Sequence, residues 1–226
     1  MARYAIIVAG GTGTRFSGPV PKQFLELAGR PVLMRTVDRF AQCVVGIVVV
    51  LPDSERARWR ELIGRYGYAT PHTVVSGGDS RFASVKNALA VVDAQLGDVV
   101  AVHDGVRPLV AGCVVEKAFE VAARCGSAVP VVPVTDSIRH VAAGGVSRAM
   151  RRDELVAVQT PQAFDAVALK AAYDVDFSPL FTDDASVYEA AGHSVTLIDG
   201  DPGNIKITHP KDIAIAEMIL RNGTAR

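Results

Sequence analysis

The residues with the most chemical promise stand together near the start of the chain: Ala9-Gly10-Gly11-Thr12-Gly13-Thr14-Arg15, then Lys22 seven positions on. An apolar run, Tyr4-Ala5-Ile6-Ile7-Val8, comes directly before them and predicts a buried first strand. Three glycines in four positions allow a tight turn and let backbone N–H groups approach a ligand that a Cβ would hold off. From Arg3 to Leu25 there are three basic residues and no acidic one, although the whole chain carries no net charge. A glycine loop after the first strand, flanked by a guanidinium and an ammonium, suits a polyphosphate. The alternative is an ordinary strand-to-helix turn with solvated cations.

Two familiar phosphate motifs are excluded. A dinucleotide fingerprint opening at Gly11-Thr12-Gly13 requires glycine at position 16, which is Phe16. A P-loop opening at Gly13 places Gly18 correctly, but lysine should follow and Pro19 does. What remains, a G-G-x-G-x-R loop with Pro21-Lys22-Gln23 downstream, resembles nucleotidyltransferases that join an NTP to a sugar or polyol phosphate.

Two further loops end in Gly and Asp. Ser76-Gly77-Gly78-Asp79 follows a short apolar run at 73–75, and His103-Asp104-Gly105-Val106-Arg107-Pro108 follows Val99–Val102. In α/β sheets ligands bind at the carboxyl ends of strands, so three such loops at one edge reinforce one another. Each also has a plain structural explanation. Asp79 or Ser80 suits a helix cap, and Ser84 faces either a ligand or solvent. Asp104 and Arg107 suit a local ion pair, His103 a packed histidine, and Lys206 a lysine snorkelling from an edge strand over 204–208.

The elements that must position these residues follow from periodicity. Apolar runs at 4–8, 44–51, 73–75 and 99–102 alternate with amphipathic stretches, including 80–92 and about 113–124. That alternation predicts an α/β fold, a mostly parallel sheet with helices on both faces. Ser54 is expected to cap a helix running to about Tyr66, and Thr182-Asp183-Asp184 to open one over 183–191. The segments 135–141 and 146–152 alternate weakly around Gly144-Gly145 and predict a hairpin with four arginines, Arg139, Arg148, Arg151 and Arg152. A lone hairpin is marginal in water, so it must lie on its own body or on a partner chain. The whole of 1–226 is expected to be one domain with this arm inserted at about 134–153.

Composition narrows the function. Hydrophobic residues make up 49% of the chain, enough for a large core. Zero net charge argues against a general nucleic-acid binder. No run approaches the ~18 apolar residues of a membrane span. Cys43, Cys113 and Cys125 are widely spaced and odd in number, which fits reduced thiols and a cytoplasmic protein.

Taken in order, the three loops continue into Asp136-Ser137, Arg152, Gln159-Thr160-Pro161-Gln162, Thr182-Asp183-Asp184-Ala185-Ser186 and Asn204-Ile205-Lys206. This ordered set resembles the 2-C-methyl-D-erythritol 4-phosphate cytidylyltransferases of non-mevalonate isoprenoid biosynthesis, in their single-function form. Gly10 and Gly105 stand where many relatives carry Ala. The resemblance implies a Rossmann-like fold and a homodimer in which the hairpin arm reaches the partner's site. It implies CTP binding by Ala9, Gly10, Gly11, Thr12, Gly13, Arg15, Lys22, Gly78, Asp79, Ser84 and Asp104. It places the polyol phosphate near Asp104, Arg107, Thr160 and Lys206, with Asp136, Ser137 and Arg152 from the neighbour's arm. Arg15 and Lys22 are then candidates for the α-phosphate, and Arg152 and Lys206 for positioning the incoming phosphate. Mg²⁺ is expected to travel mainly on the triphosphate, with Asp104 as the one candidate ligand. Ribitol-5-phosphate cytidylyltransferases share the glycine loop and the H-D-x-x-R-P motif. A nucleotide-binding protein without catalysis would need the loop but not Arg15, Lys22, Arg152 and Lys206 together.

Overall fold

The computed structural model describes residues 1–10 and 20–223. β1 (Arg3–Val8) leads through a small hairpin, β2 (Glu26–Leu27) and β3 (Arg30–Pro31), into α1 (Val32–Asp38). There follow β4 (Gly46–Leu51), α2 (Arg56–Tyr66), β5 (Thr73–Ser76), α3 (Arg81–Val91), β6 (Val99–Asp104) and α4 (Gly112–Cys125). β7 (Ser127–Pro133) precedes the arm strands β8 (Arg139–Val141) and β9 (Ser147–Ala149). The chain closes with β10 (Val156–Val158), β11 (Gln162–Asp165), α5 (Ala166–Ala172), α6 (Asp184–Ala190), β12 (Leu197–Asp199) and α7 (Lys211–Arg221).

The main sheet has the order β10-β7-β11-β6-β1-β4-β5, with β12 also on β7. β6, β1, β4 and β5 are mutually parallel, as the βα alternation predicts. β11 lies antiparallel between β6 and β7, and β10 is antiparallel to β7. The chain leaves the sheet along β7 into the arm and returns along β10, so this half is mixed.

Alternate residues of each strand face opposite sides. Ala5, Ile7, Val49 and Leu51 pack with Leu33, Met34, Trp59 and Phe119 on one face. Ile6, Val48, Val100 and Val102 pack with Phe82, Val85, Leu89 and Leu169 on the other. Helices therefore cover both faces. The registers align Val8 with Val50 and Asp104, and Leu51 with Ser76, so four strands end along one edge.

Two local expectations fail. Ser54 does not cap α2: residues Asp53–Glu55 form a 3₁₀ turn, and Glu55 occupies the N-cap with no side-chain bond. The stretch 204–208 is not a strand. Its backbone turns on itself through Asn204 N–H to Asp201 C=O (2.9 Å) and Ile205 N–H to Gly203 C=O (2.8 Å). The buried Asn204 side chain donates to Thr160 C=O at 2.8 Å, which anchors the segment beside β11 without a ladder. Elsewhere capping chemistry holds: Ser80 accepts from Ala83 N–H, and Asp183 with Ser186 forms a capping box on α6.

The arm is a separate two-stranded ladder turning through Gly144 and Gly145, both at positive φ. Its strand residues are exposed.

Candidate active site

The strand ends open onto a cavity of about 640 Å³. Ala9, Gly10, Lys22, Gly78, Asp79, Ser84, Asp104 and Lys206 all line it, so the three loops do converge. Gly11, Thr12, Gly13, Thr14 and Arg15 lie outside the described residues. A smaller cavity of about 300 Å³ adjoins it, lined by Arg107, Thr160 and Gln162, and shares Arg81, Asp104 and Lys206 with the first. The geometry is that of two compartments with a charged wall between them.

In the larger compartment the backbone is held close. Ala9 donates its N–H to Val50 C=O (2.9 Å), while its own C=O accepts from the buried Gln23 side chain (3.1 Å). Ala9 thus shapes the wall with both backbone groups already engaged. Gln23 continues a 3₁₀ turn that begins at Lys22, which sets the lysine at the cavity rim. The Ser84 hydroxyl accepts from Gly78 N–H at 3.1 Å, folding the 76–79 loop onto α3. A Cβ on Gly78 would lie 2.4 Å from the Ala83 Cβ, so this loop requires glycine there. Ser84 is buried and its oxygen serves the loop.

The wall is built around Asp104 at the end of β6. One carboxylate oxygen accepts from Arg107 Nε at 3.0 Å and from Lys206 Nζ at 3.0 Å. Arg107 also donates to Asn204 C=O at 2.8 Å. Burial alone would raise the Asp104 pKa, but the charges of Lys206, Arg81 and Arg107 outweigh it and hold the carboxyl well below the usual range. Asp104 is therefore a permanent anion that fixes two cations, and Lys206 is a tethered site residue rather than a snorkelling one.

Arg81 is the functional candidate to which sequence reasoning gave no role. Its guanidinium makes a two-pronged contact with the fully buried Asp184, which also accepts from Tyr173 Oη at 2.7 Å. Burial opposes the charge of Arg81, but Asp184 more than compensates and keeps it protonated. Arg81 opens α3 and Asp184 opens α6, so no spacing rule links them.

His103 is the packed histidine its sequence setting allows. It is 0% exposed and lies against Phe40, with ring centroids 5.0 Å apart. Burial pushes its pKa down from 6.5 to about 4, so it is neutral when folded. Between these values the unfolded chain binds a proton that the folded one does not, so stability rises with pH across this window. Acidification from pH 6.5 to 4 should thus remove about 3 kcal/mol through His103. Urea midpoints measured across this range for the wild type and His103→Gln check it: the variant should show a flatter dependence.

The arm residues stand apart. Asp136, Ser137 and Arg152 are exposed and line neither compartment of their own chain. Arg152 donates to Thr135 C=O at 2.7 Å, and Arg151 pairs with Asp153 and Glu154.

Among the described residues no group of three or more His, Cys, Asp or Glu side chains is placed to hold a metal ion. Asp104 already accepts from two cations.

Residues 4–222 match the family model described as 2-C-methyl-D-erythritol 4-phosphate cytidylyltransferase. A protein of that name from Porphyromonas gingivalis is 48% identical over 96% of this chain and 97% of its own length. One from Bacteroides fragilis is 46% identical over 97% of this chain and 100% of its own. The solved structure of the Francisella tularensis 2-C-methyl-D-erythritol 4-phosphate cytidylyltransferase superposes with a TM-score of 0.81 at 28% identity, covering 96% of this chain and 99% of that one.

Proposed function

Because the chain belongs to the 2-C-methyl-D-erythritol 4-phosphate cytidylyltransferase family, we infer that its two compartments take CTP and methylerythritol phosphate and join them. The products are 4-diphosphocytidyl-2-C-methyl-D-erythritol and pyrophosphate. The observation that carries this reading is the Asp104–Lys206–Arg107 cluster, which stands where the two compartments meet. The larger cavity, with its glycine-lined wall and Lys22, suits the nucleotide. The smaller, with Arg107 and Thr160, suits the polyol phosphate.

The reaction is in-line attack of a phosphate-monoester oxygen on the α-phosphorus of CTP. A new P–O bond forms as the bond to the β-phosphate oxygen breaks and pyrophosphate leaves. A monoester has a second pKa near ~6, so the nucleophile is already ionised and no general base is needed. The obstacle is the approach of two anions. Lys206 and Arg107, fixed on Asp104, hold cationic groups at the meeting point without reorganisation. Lys22, at the rim of the larger cavity, is the described cation for the α-phosphate, where charge spreads in the transition state; Arg15, the other candidate from the sequence, lies outside the described residues. Mg²⁺ bound to the CTP triphosphate would neutralise part of its charge.

The functional unit is a homodimer of single nucleotidyltransferase domains, each with an arm at about 134–153. Support comes from the arm's exposed Val141 and Val146, its arginines, and the absence of Arg152 from the lining of its own compartments. A location in the cytoplasm goes with this function; the free thiols of Cys43, Cys113 and Cys125 fit it. No helix is long and apolar enough to cross a membrane among the described residues.

Pyrophosphate release with each NTP against methylerythritol phosphate, ribitol 5-phosphate and hexose phosphates tests the assignment. CTP with methylerythritol phosphate should be the fastest pair. EDTA should abolish turnover and Mg²⁺ restore it. Faster turnover of ribitol 5-phosphate, or equal use of ATP, would overturn the substrate assignment.

A further inference from the structure

His103 lines neither compartment, yet it bonds two residues that line the acceptor compartment. Its Nε2 lies 3.1 Å from Arg107 C=O and its Nδ1 lies 3.0 Å from Thr160 Oγ1. A carbonyl oxygen can only accept, so Nε2 carries the hydrogen. In a neutral ring Nδ1 is then the acceptor, and the Thr160 hydroxyl must donate to it. The same oxygen accepts from the backbone N–H of Asp104 at 3.1 Å. Protonating Nδ1 would instead bury an imidazolium, a cost of desolvation that outweighs the favourable charge of the nearby Asp104. The hydroxyl of Thr160 therefore keeps one lone pair and no proton for anything in the compartment it lines.

We propose that His103 is a positioning residue for the acceptor substrate: by taking the Thr160 proton it turns Thr160 into an acceptor-only group, which reads a hydroxyl of the polyol and not an oxygen of its phosphate. A phosphate oxygen at neutral pH has only lone pairs to offer, and two acceptors repel. A polyol hydroxyl donates. Through the same ring, the Arg107 carbonyl and the Asp104 backbone are tied to one side-chain chain of bonds, so the recognition of the hydroxyl is locked to the charged wall. This role rests on the assignment of the smaller compartment to the polyol phosphate.

Two measurements separate the role from that assignment. Long-range proton–nitrogen NMR of the histidine rings reads the tautomer directly and needs no substrate. A neutral Nε2–H ring at position 103 is expected; an Nδ1–H ring or an imidazolium at pH 7 overturns the proton placement. Steady-state kinetics then use two variants that each keep half of the ring's chemistry. His103→Asn retains an acceptor near Nδ1, whereas His103→Gln retains a donor near Nε2. His103→Gln should raise KM for methylerythritol phosphate about tenfold, the scale of one misdirected hydrogen bond, with kcat and KM for CTP within about twofold. His103→Asn should stay nearer the wild type for that KM. In a Thr160→Val background, which has no hydroxyl to orient, His103→Gln should add nothing. Equal damage from both variants on both substrates, or a further tenfold loss in the Thr160→Val background, makes His103 a core residue only. If the tautomer is as expected but the NTP and polyol panel favours another acceptor, the substrate assignment fails and the proton placement stands.

Discussion

Lys22→Ala should lower kcat by about a hundredfold or more while KM for CTP changes little. The reason lies in where charge moves. In bound CTP the negative charge is spread along the triphosphate, and several groups share it. During attack it concentrates on the oxygens of the five-coordinate α-phosphorus. An ammonium held at the cavity rim by the 3₁₀ turn Lys22–Phe24 gains most at that moment. Water could replace part of its contact with the ground state but would have to reorient in the transition state. Gln23 anchors the same turn through Ala9 C=O, so the mutation leaves the backbone intact and isolates the charge. Lys22→Arg should recover only part of the loss, since a planar guanidinium cannot occupy the same point. A Lys22→Ala enzyme with near-normal kcat would reduce the residue to a solvated loop lysine.

Mixing two inactive variants should restore activity if the arm works across a dimer. Arg152 lines neither compartment of its own chain, and its guanidinium is held against Thr135 at the arm's base. Among the four arm arginines, Arg139 bonds Ser147 within the hairpin and Arg151 pairs with Asp153 and Glu154. These contacts, like the bond from Arg152 to Thr135, all lie within the arm. A two-fold dimer would carry Arg152 to the partner's acceptor phosphate twice by symmetry. Chains with Lys22→Ala and chains with Arg152→Ala should each be inactive alone. After exchange, heterodimers contain one site with intact Lys22 and an intact arm, and turnover should rise to about a quarter of wild type from statistical pairing. Exchange shown by mass spectrometry, with activity still at the level of the parents, would place Arg152 in the service of its own subunit.

What the sequence determined by itself was local. The strand Arg3–Val8, the helix starts at Asp79-Ser80 and Thr182-Asp183-Asp184 and the Gly144-Gly145 turn are all readable because each depends on neighbours a few positions away. The convergence of the 76–79 and 103–108 loops on the end of the first strand was also readable, since parallel strands joined by helices put their carboxyl ends on one edge. Other features were decided only in three dimensions. The antiparallel position of β11 between β6 and β7 follows from where the chain returns after the arm, and no periodicity encodes that. The segment 204–208 has strand-like composition, yet Asn204 bonds to Thr160, 44 positions away, and forces a turn. Arg81 and Asp184 are 103 positions apart, and each has an adequate local explanation as a helix-start residue. Lys206 reads equally well as a surface lysine until β6 brings Asp104 to within 3.0 Å of it. Short-range preferences choose the elements, but a buried charge must find its partner wherever packing sets it, because leaving it unpaired costs several kcal/mol. That pairing is a property of the folded chain, and it is what makes the wall between the two compartments.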